Sequence, residues 1–577
     1  AHGLILNYYD PRIRQLEEQI NSKEGAPKDR VPLRERLQKL RVERLYYLLV
    51  EDPRRGYEEY RRLSDQANRH RWVGYGMRLL DEFLRFYNYP TRRKLFQDRG
   101  ISDQQIVRES AQMWVERFHW WGQYQRSIHL AEKILAQPEL FSIRLCEEED
   151  IAVLGNARAL WARAKALLSG YDSEAVREAE KMWERLPRGG KEREALARAR
   201  LATSIGYLYR LGGMLSEASR WYVKAQAEFR VLKAYRDELA QVLNNLAFAY
   251  ARQGRVDLAR PLAHEALQID EELGNEYSTG LTLSTLSSIA RMRGHYTQAI
   301  EYAKEALELF RELEDAHGVV LAHLGLAEAQ RRKAKQDIEK NRKLEEARKE
   351  LEKIAEDLEG ALETARGAEL KDAERRLRAE QGRLQRDLGH AVRVLEGAEK
   401  SMAHYTSSAR LLRDALNLDG WNPVEKADAQ QDLAETLFFS GDEVGAEECL
   451  EQIKRSLDED IVTLSEKAAP QIPNEYYLPL AKVEMTHGQI AFMHGKEAEG
   501  LQRFLQAYVY FTLFSPDAVE KDALLEYLYK RMRDLTVVQQ RDLMEKVRDR
   551  AFQSQLQDKF GVNVESFVRD LGDLLGA

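Results

Sequence analysis

Residues 243–254 read Leu-Asn-Asn-Leu-Ala-Phe-Ala-Tyr-Ala-Arg-Gln-Gly, and a related pattern recurs about 40 residues before and after this stretch. The aligned positions are Gly213, Gly254 and Gly294 in a turn, Gly206, Ala247 and Ser287 upstream of it, and Ala218, Ala259 and Ala299 downstream of it. Glycine adopts the left-handed conformation that a tight turn requires, and small residues let two helices approach closely. The pattern therefore predicts a helical hairpin. Its repetition predicts an all-α solenoid, because one hairpin alone cannot bury its apolar face.

The composition is that of a helical chain. Of the 577 residues, 32% are charged, 34 are glycine and 13 are proline, a balance that favours long solvated helices over extended disorder. The formal net charge of −7 is too small to indicate nucleic acid as a direct partner. No apolar run approaches the roughly 20 residues that a membrane-spanning helix needs, so no membrane association is expected.

Residues that carry reaction chemistry are sparse. The two cysteines, Cys146 and Cys449, are too few and too far apart for a disulfide framework or a zinc motif. No His-Glu-x-x-His, Gly-x-Ser-x-Gly or Cys-x-x-Cys motif occurs. We therefore expect no enzyme activity, no catalytic residues, no cofactor and no metal site. The low cysteine content favours a reducing environment, and a cytoplasmic location is predicted.

The repeats divide the chain into five predicted segments. Residues 1–109 are predicted to form an N-terminal helical linker domain, 110–333 the first part of the solenoid, and 397–515 its second part. Residues 334–396 interrupt a hairpin between these two parts. Residues 516–577 lose the repeat pattern and are predicted to form a helical cap over the exposed end of the solenoid.

The interruption at 334–396 is highly charged and carries leucine at intervals of seven. The leucines are Leu344, Leu351 and Leu358 in one series and Leu370, Leu377 and Leu384 in another. This spacing is typical of coiled coils. The simplest geometry is an inserted antiparallel coiled-coil hairpin that turns near Gly367 and projects roughly 45 Å at 1.5 Å per residue. A disordered charged linker is the alternative. On the first interpretation, a short turn could replace the segment without unfolding the solenoid.

The repeat positions resemble the tetratricopeptide repeat (TPR) family, whose hairpins carry a leucine next to a small residue, a tyrosine, a turn glycine and two alanines. The spacing is similar to that of the longer TPRs in kinesin light chain and in the C-terminal arms of bacterial signal-transducing NTPases of the STAND class, which includes the maltose-regulon activator family. The segment from Arg41 to Tyr60 resembles the helical connection that joins the nucleotide switch to the TPR arm in such NTPases. The resemblance implies a TPR superhelix that serves as a sensor arm.

Two functions are compatible with this resemblance. One is a non-catalytic sensor arm of a bacterial STAND-type regulator, which recognises a peptide, a protein or a small ligand in the superhelix groove. The other is a free-standing TPR scaffold that docks a partner through the coiled-coil arm. No Gly-x-x-x-x-Gly-Lys-Ser/Thr loop occurs, so nothing in this chain should cradle a nucleotide phosphate. On the first hypothesis an NTPase switch domain is expected upstream or on another chain.

In TPR proteins the first helix of each hairpin lines the groove. Carrying the family's groove positions over to this chain gives Tyr207, Arg210, Asn244, Asn245, Phe248, Arg252, Ser284, Ser288, Arg291 and Arg331. Arginine recurs near the same position of four successive first helices, and guanidinium groups bind carboxylates or phosphates in a bidentate manner. We therefore expect solvent-facing arginines that bind an acidic, carboxylate-bearing or phosphate-bearing partner, with Asn244 or Asn245 holding a peptide backbone. Ordinary solvated helix charges are the alternative.

Overall fold

The computed structural model of the chain describes residues 2–21, 27–70, 72–144, 148–169, 171–187, 192–368, 370–465, 474–514, 523–525 and 527–528. These residues form 23 α-helices and two short 3₁₀ helices, and no strand occurs among them. The α-helices are α1 His2–Asn21, α2 Pro27–Glu51, α3 Pro53–Arg69, α4 Val73–Tyr87, α5 Pro90–Asp98, α6 Asp103–Trp120, α7 Tyr124–Ala136, α8 Glu148–Ser169, α9 Ser173–Arg185, α10 Glu192–Leu211, α11 Leu215–Val231, α12 Arg236–Arg252, α13 Val256–Leu273, α14 Glu276–Met292, α15 Tyr296–Glu312, α16 Ala316–Glu339, α17 Leu344–Gly367, α18 Lys371–Glu396, α19 Ala398–Leu416, α20 Pro423–Phe439, α21 Glu443–Ser465, α22 Asn474–Met493 and α23 Glu497–Phe514. The predicted all-α class is confirmed.

From α6 onward the helices follow one another as hairpins, and the glycine pattern explains their geometry. The turn glycines have positive φ angles in the left-handed region; they are Gly122, Gly213, Gly254, Gly294, Gly441 and Gly495. Small residues then allow the two helices to approach closely. A Cβ at Gly206 of α10 would lie 2.8 Å from the ring of Tyr222 in α11, and a Cβ at Gly488 of α22 would lie 3.0 Å from Phe504 in α23.

The helices belong to two compact units. Unit 1 comprises Ala1–Gly212, Glu217–Leu246 and Glu265–Thr279, and unit 2 comprises Gly213–Ser216, Ala247–His264 and Gly280–Ala577. In unit 1, α1 packs on α2, and the aromatic core around Tyr57, Phe83 and Phe96 joins α3, α4 and α5. Helix α6 packs against α7 and α8, and α8 packs against α9 and α10. The first helices α6, α8 and α10 therefore lie side by side.

In unit 2 the same arrangement runs through α16, α18, α20 and α22, each of which packs against the next. The second helices α17, α19, α21 and α23 pack against their own first helices. A large apolar core joins the last hairpins and includes Leu412, Leu450 and Phe504. The charged side chains described below lie on the first helices of this array.

The segment 334–396 is not the projecting coiled coil that the leucine spacing predicts. Its two helices do turn beside Gly367. However, α16 continues to Glu339, and α17 folds back along it, so that α16 and α17 form a complete hairpin. Helix α18 pairs with α19, where a Cβ at Gly389 would lie 2.7 Å from the ring of Tyr405. The segment therefore contributes to two successive hairpins. It supplies the end of α16 and all of α17 to the first hairpin, and α18 to the second.

The leucines that suggested a separate coiled coil take part in the common core. Leu351, Leu358, Leu377 and Leu384 are each at most 1% exposed. They share one cluster with Val320 and other apolar residues of α16. Removing the segment would uncover this cluster, so we expect that a short turn cannot replace it, contrary to the expectation from the sequence.

The predicted cap at 516–577 lies almost wholly outside the described residues; only 523–525 and 527–528 belong to them. Leu524 and Leu528 are buried in the core of the last hairpins. Among the helices that the structure describes, none is both long enough and apolar enough to cross a membrane.

Candidate binding surface

The predicted groove residues are divided between the two units. Tyr207, Arg210, Asn244 and Asn245 belong to unit 1, whereas Phe248, Arg252, Ser284, Ser288, Arg291 and Arg331 belong to unit 2. Nine of the ten side chains are half-buried, and Arg331 is buried. The two groups have different surroundings, which decide what each can bind.

In unit 2 the arginines are engaged by carboxylates of the next first helix. Arg291 of α14 lies 2.8 Å from Glu328 of α16, with both side chains less than one-fifth exposed. Arg331 of α16 donates to Asp387 of α18 at 2.7 Å and also pairs with Glu380. The expectation that these arginines face solvent is therefore wrong, because each is neutralised within the protein.

These pairs belong to an ion-pair ladder, which we define as the bridges that join α14, α16, α18, α20 and α22. Arg383 and Arg386 of α18 both reach Asp432 of α20, and Arg386 also lies 2.8 Å from Glu435. Lys482 of α22 lies 2.7 Å from Asp428 of α20. The ladder carries charges of both signs in close contact, so it fits the holding together of successive repeats better than the capture of an acidic ligand.

The electrostatics of the ladder agree with this interpretation. Burial would raise the pKa of Glu328, but the guanidinium groups of Arg291, Arg376 and Arg383 outweigh it and lower that pKa to about 2. Burial likewise opposes ionisation of Asp387, and Arg386 and Arg331 hold its pKa well below its usual range. These carboxyl groups are therefore charged at neutral pH in the folded protein.

The other groove residues in unit 2 are also largely engaged within the chain. Ser284 donates its hydroxyl to the carbonyl of Gly280 at 2.9 Å. At Asp428, burial is outweighed by Lys482 and Arg252, which lower the pKa of its carboxyl group. Arg252 is thus part of the same charge-compensated surface.

In unit 1 the predicted residues lie beside a strip of stacked aromatic rings and guanidinium groups. Arg163 of α8 lies over Trp120 of α6 at 5.1 Å and over Tyr207 of α10 at 5.4 Å. Arg210 lies over the other side of the strip, 4.8 Å from the Tyr207 ring, and donates to Asn245 at 3.4 Å. The strip therefore crosses first helices α6, α8, α10 and α12 within unit 1.

Next to this strip lies a partly open depression, which we call the unit 1 pocket; its volume is about 470 Å³ when the solvent at its mouth is included. Its lining residues come from α6, α8, α10, α11 and α12; they are Glu116, Trp120, Asn156, Ala159, Leu160, Arg163, Arg200, Thr203, Ser204, Phe229, Glu238 and Gln241. Its exposed surface is largely apolar, although eight of the twelve lining residues are polar or charged. Apolar surface combined with placed polar groups is usual for ligand sites.

Arg200 organises the charged wall of the unit 1 pocket. It donates from two nitrogens to Glu238, at 2.9 and 2.7 Å, and from a third to Glu116 at 3.1 Å. Asp65 of α3 lies 3.6 Å from the same guanidinium. Burial raises the pKa of Glu116 despite Arg200, and the nearby Asp65 carboxylate adds to the rise.

Two asparagines on first helices of unit 1 have buried amide oxygens with no hydrogen-bond partner among the described residues. They are Asn156, which lines the pocket and is 5% exposed, and Asn244 of α12. A buried polar atom left unpaired is costly. These oxygens are therefore available to accept hydrogen bonds from donors other than the described residues, such as water or another molecule.

Sequence reasoning predicted Tyr207, Arg210, Asn244 and Asn245 as binding residues, which stays a prediction, and it did not predict the lining of the pocket. Arg200 and Thr203 stand at groove positions of α10 when the TPR register is counted from Gly206, so the same rule could have found them. Asn156 and Glu116 lie on earlier, degenerate repeats and had no such signal. No group of residues able to hold a metal ion occurs in the part of the chain that the structure describes.

Comparisons with known proteins identify the repeat. Residues 238–312, which contain the stretch quoted at the outset, match the family model of the tetratricopeptide repeat. No curated protein matches the chain. The helical hairpins on either side of the matched residues repeat the same close contacts and glycine turns. The chain therefore contains tetratricopeptide repeats over residues 238–312, within a longer series of similar helical hairpins.

Several solved structures are similar at low identity. A Rap protein complexed with competence and sporulation factor shares 11% identity, with a TM-score of 0.41 over 62% of this chain and 98% of that one. The human IFIT1 dimer with m7Gppp-AAAA shares 14%, with a TM-score of 0.42 over 81% and 89%. Aspartyl phosphate phosphatase F from Bacillus subtilis shares 12%, with a TM-score of 0.38 over 69% and 93%. The assignment rests on the repeat match and the hairpins rather than on these likenesses.

Proposed function

We propose that this chain is a non-catalytic binding protein that recognises a peptide segment of a partner protein on the first helices of unit 1, and that it works as the sensor arm of a signal-transducing regulator. TPR solenoids present extended surfaces for such contacts. The observation that carries the proposal is the unit 1 pocket, where the unpaired oxygen of Asn156 lies beside apolar walls. A peptide carries amide N–H donors that can pair with the unpaired oxygen and apolar side chains that can pack against the apolar walls.

The adjoining strip supports a peptide rather than a compact small ligand. Trp120, Arg163, Tyr207 and Arg210 extend the surface beyond the pocket, and Asn244 adds a second unpaired oxygen on the next first helix. An extended chain can meet both asparagines, because its amide groups repeat along its length.

The regulator role rests on the resemblance of the long repeats and of the segment from Arg41 to Tyr60 to the arms of STAND-class NTPases. On this proposal the chain is bacterial and cytoplasmic, and an NTPase switch domain acts upstream or on another chain. The scaffold alternative depended on a projecting coiled-coil arm. Since α17 and α18 pack into the hairpin array, no observation now favours it.

Peptide recognition can be tested by selecting peptides from a phage-displayed random library on the whole chain and measuring their affinity by isothermal titration. Tyr207→Ala should weaken binding of the selected peptides by about tenfold or more, since aromatic anchors dominate such contacts. Tyr89→Ala is the matched control, because Tyr89 is an exposed tyrosine of unit 1 outside the pocket lining. Failure to select any peptide, or equal losses in both variants, would contradict the proposal.

The regulator role needs its own test. The open reading frame that contains Ala1 should encode a phosphate-binding loop upstream, or a neighbouring gene should encode an NTPase that co-purifies with this chain. In a reconstituted pair, the selected peptide should change the rate of nucleotide hydrolysis. A hydrolysis rate that stays the same at saturating peptide would contradict the sensor role and leave peptide binding intact.

A further inference from the structure

The charges around the unit 1 pocket differ from those of the ion-pair ladder in unit 2. One guanidinium, that of Arg200, is contacted by three carboxylates, those of Asp65, Glu116 and Glu238. In the ladder Arg386 likewise meets three carboxylates, but Asp387 and Asp432 are each reached by a second arginine, Arg331 and Arg383 respectively. At the pocket wall the three carboxylates converge on the single guanidinium of Arg200.

The ion pair between Glu116 and Arg200 does not fully offset the effect of burial on the pKa of Glu116. Its side chain is 7% exposed, and it receives hydrogen bonds from Arg200 and from Gln112 at 3.1 Å each. Burial nevertheless raises its pKa, and the carboxylates of Asp65 and Glu238 act in the same direction. A further positive charge at this wall would favour the ionised form of Glu116.

Three of the neutral polar side chains of the pocket, those of Asn156, Thr203 and Ser204, offer acceptors. The amide oxygen of Asn156 has no partner among the described residues. Thr203 and Ser204 already donate their hydroxyl protons, to the carbonyls of Ala199 and Arg200 at 2.8 and 3.0 Å. Their oxygens are therefore left with lone pairs only. A ligand group that carries several N–H donors fits these three acceptors, which lie in the same lining as the donors of Arg163 and Gln241.

The remaining walls can hold an aliphatic stem. Ala159, Leu160, Trp120 and Phe229 line the pocket. The ring of Trp120 already carries the guanidinium of Arg163 at 5.1 Å, which shows that a planar cation is accommodated on this surface. Long basic side chains combine an apolar stem with a charged head in the same way.

We infer that the unit 1 pocket takes the basic side chain, lysine or arginine, of the partner peptide. The inference rests on the proposed peptide recognition and gives its chemistry. The aliphatic stem lies between the apolar walls, and the ammonium or guanidinium head donates to Asn156, Glu116 and the hydroxyl oxygens. The anchor is therefore basic, and not the acidic group that the arginines of the sequence suggest.

The test uses four pools of fluorescently labelled, acetylated nonapeptide amides. Each pool has one fixed central residue, namely arginine, lysine, citrulline or glutamate, and random neighbours. Anisotropy titrations of the whole chain should give an arginine or lysine pool that binds about tenfold tighter than the citrulline pool, which is nearly isosteric but uncharged. Charge-assisted hydrogen bonds are the stronger kind, and the glutamate pool should bind weakest.

Two variants assign the preference to the pocket. Glu116→Gln removes the charge and keeps an acceptor for Arg200, and Asn156→Leu removes an oxygen that has no partner to lose. Each should reduce the preference for basic over citrulline pools to less than about threefold, as expected when a charge-assisted bond is lost. Glu217→Gln, on the second helix α11 where Glu217 pairs with the exposed Arg220, is the control and should keep the preference. Circular dichroism melting shows which variants are folded, and the Asn156 variant should remain so.

The outcomes separate this inference from the proposed function. If no pool binds, peptide recognition itself is contradicted. If all pools bind alike, or if the glutamate pool binds tightest, peptide recognition stands and the basic anchor is wrong. A basic preference that persists in a folded Asn156→Leu protein would also overturn the inference, because the head group would then be recognised elsewhere.

Discussion

The ring of Tyr405 lies over Gly389, 16 residues earlier in the chain, where a Cβ would come within 2.7 Å of the ring. Gly206 and Tyr222 have the same spacing and the same close approach, at 2.8 Å. This relationship indicates that α18 and α19 form a complete helical hairpin of the same kind as α10 and α11, rather than the end of an interrupted one. It also explains why the segment 334–396 belongs to the array.

Replacing Gly389 by alanine should destabilise the protein. The added Cβ would force the Tyr405 ring to move, and that ring is fully buried and hydrogen-bonded to His390 at 3.0 Å. Overpacking of this kind costs about 1–3 kcal/mol, which exceeds the gain in helix propensity. Urea unfolding followed by circular dichroism measures the change.

Gly360→Ala is the matched control for this substitution. Gly360 lies inside α17, and a Cβ there would meet no atom within 4 Å. Alanine should therefore stabilise this helix by about 0.5–1 kcal/mol. If the two substitutions change the unfolding midpoint in the same direction, the proposed contact between Gly389 and Tyr405 is not what limits residue size at this position.

Deletion of 334–396 should abolish cooperative unfolding of unit 2. The deletion removes α17 and α18 and exposes buried partners on both sides, including Val320 in α16 and Leu412 in α19. Insertion of Gly-Ser-Gly into the turn at 340–343 serves as the control, because that turn is exposed. A deletion variant that unfolds as sharply as the parent would restore the interpretation of a separate coiled-coil arm.

Residue patterns along the chain predicted the hairpins wherever a glycine closes the turn. They failed at the turn between α16 and α17, where Asn341 and Lys343 adopt positive φ angles instead of glycine. Because this turn has no glycine, the hairpin of α16 and α17 was not recognised. The hairpins α16–α17 and α18–α19 were therefore interpreted as one interrupted repeat. The spacing from Gly389 to Tyr405 was the signal that could have revealed the second.

The candidate site was predictable only in part, for a different reason. Helix register places Tyr207, Arg210, Asn244 and Asn245 on the correct side of their helices. It does not show what stands opposite. Arg331 meets Asp387, which is 56 residues away in the chain, and no local pattern fixes that pairing. The arginines of unit 2 therefore looked like ligand contacts although they hold neighbouring repeats together.

Arg331→Met should be strongly destabilising, since it leaves Glu380 and Asp387 buried with fewer positive partners. Both carboxylate side chains are 0% exposed, and removing one member of such a pair costs about 3–5 kcal/mol. Lys400→Met is the control, because Lys400 is 67% exposed and pairs with Glu396, four residues earlier at the end of α18. Its loss should cost no more than about 0.5 kcal/mol. If the two substitutions lower the thermal midpoint equally, the ion-pair ladder contributes no more to stability than an exposed ion pair.

The stability of unit 2 should fall in acid. The pKa values of Asp387 and Asp432 are lowered in the folded protein because the nearby arginines outweigh burial, and that of Glu328 is about 2. A lowered folded pKa contributes stability that is present above the unfolded pKa, near about 4, and is lost as the pH falls toward the folded value. The thermal midpoint should therefore drop between about pH 5 and pH 2.

Asp387→Asn tests the cause of this pH dependence. The variant should be less stable than the parent at pH 7, and its midpoint should fall less between about pH 5 and pH 2, because one linked carboxyl group has been removed. An identical slope in the parent and the variant would place the acid sensitivity on other groups.

The central claim is that a peptide binds on the first helices of unit 1, and amide hydrogen exchange with and without a selected peptide tests it most directly. The account predicts slower exchange in α6, α8 and α10, around Trp120, Asn156 and Tyr207, with no change in α7 and α9. In the Asn156→Leu protein the protection should be lost at the same peptide concentration. Protection confined to the second helices, or to the first helices of unit 2 that carry the ion-pair ladder, would contradict the account.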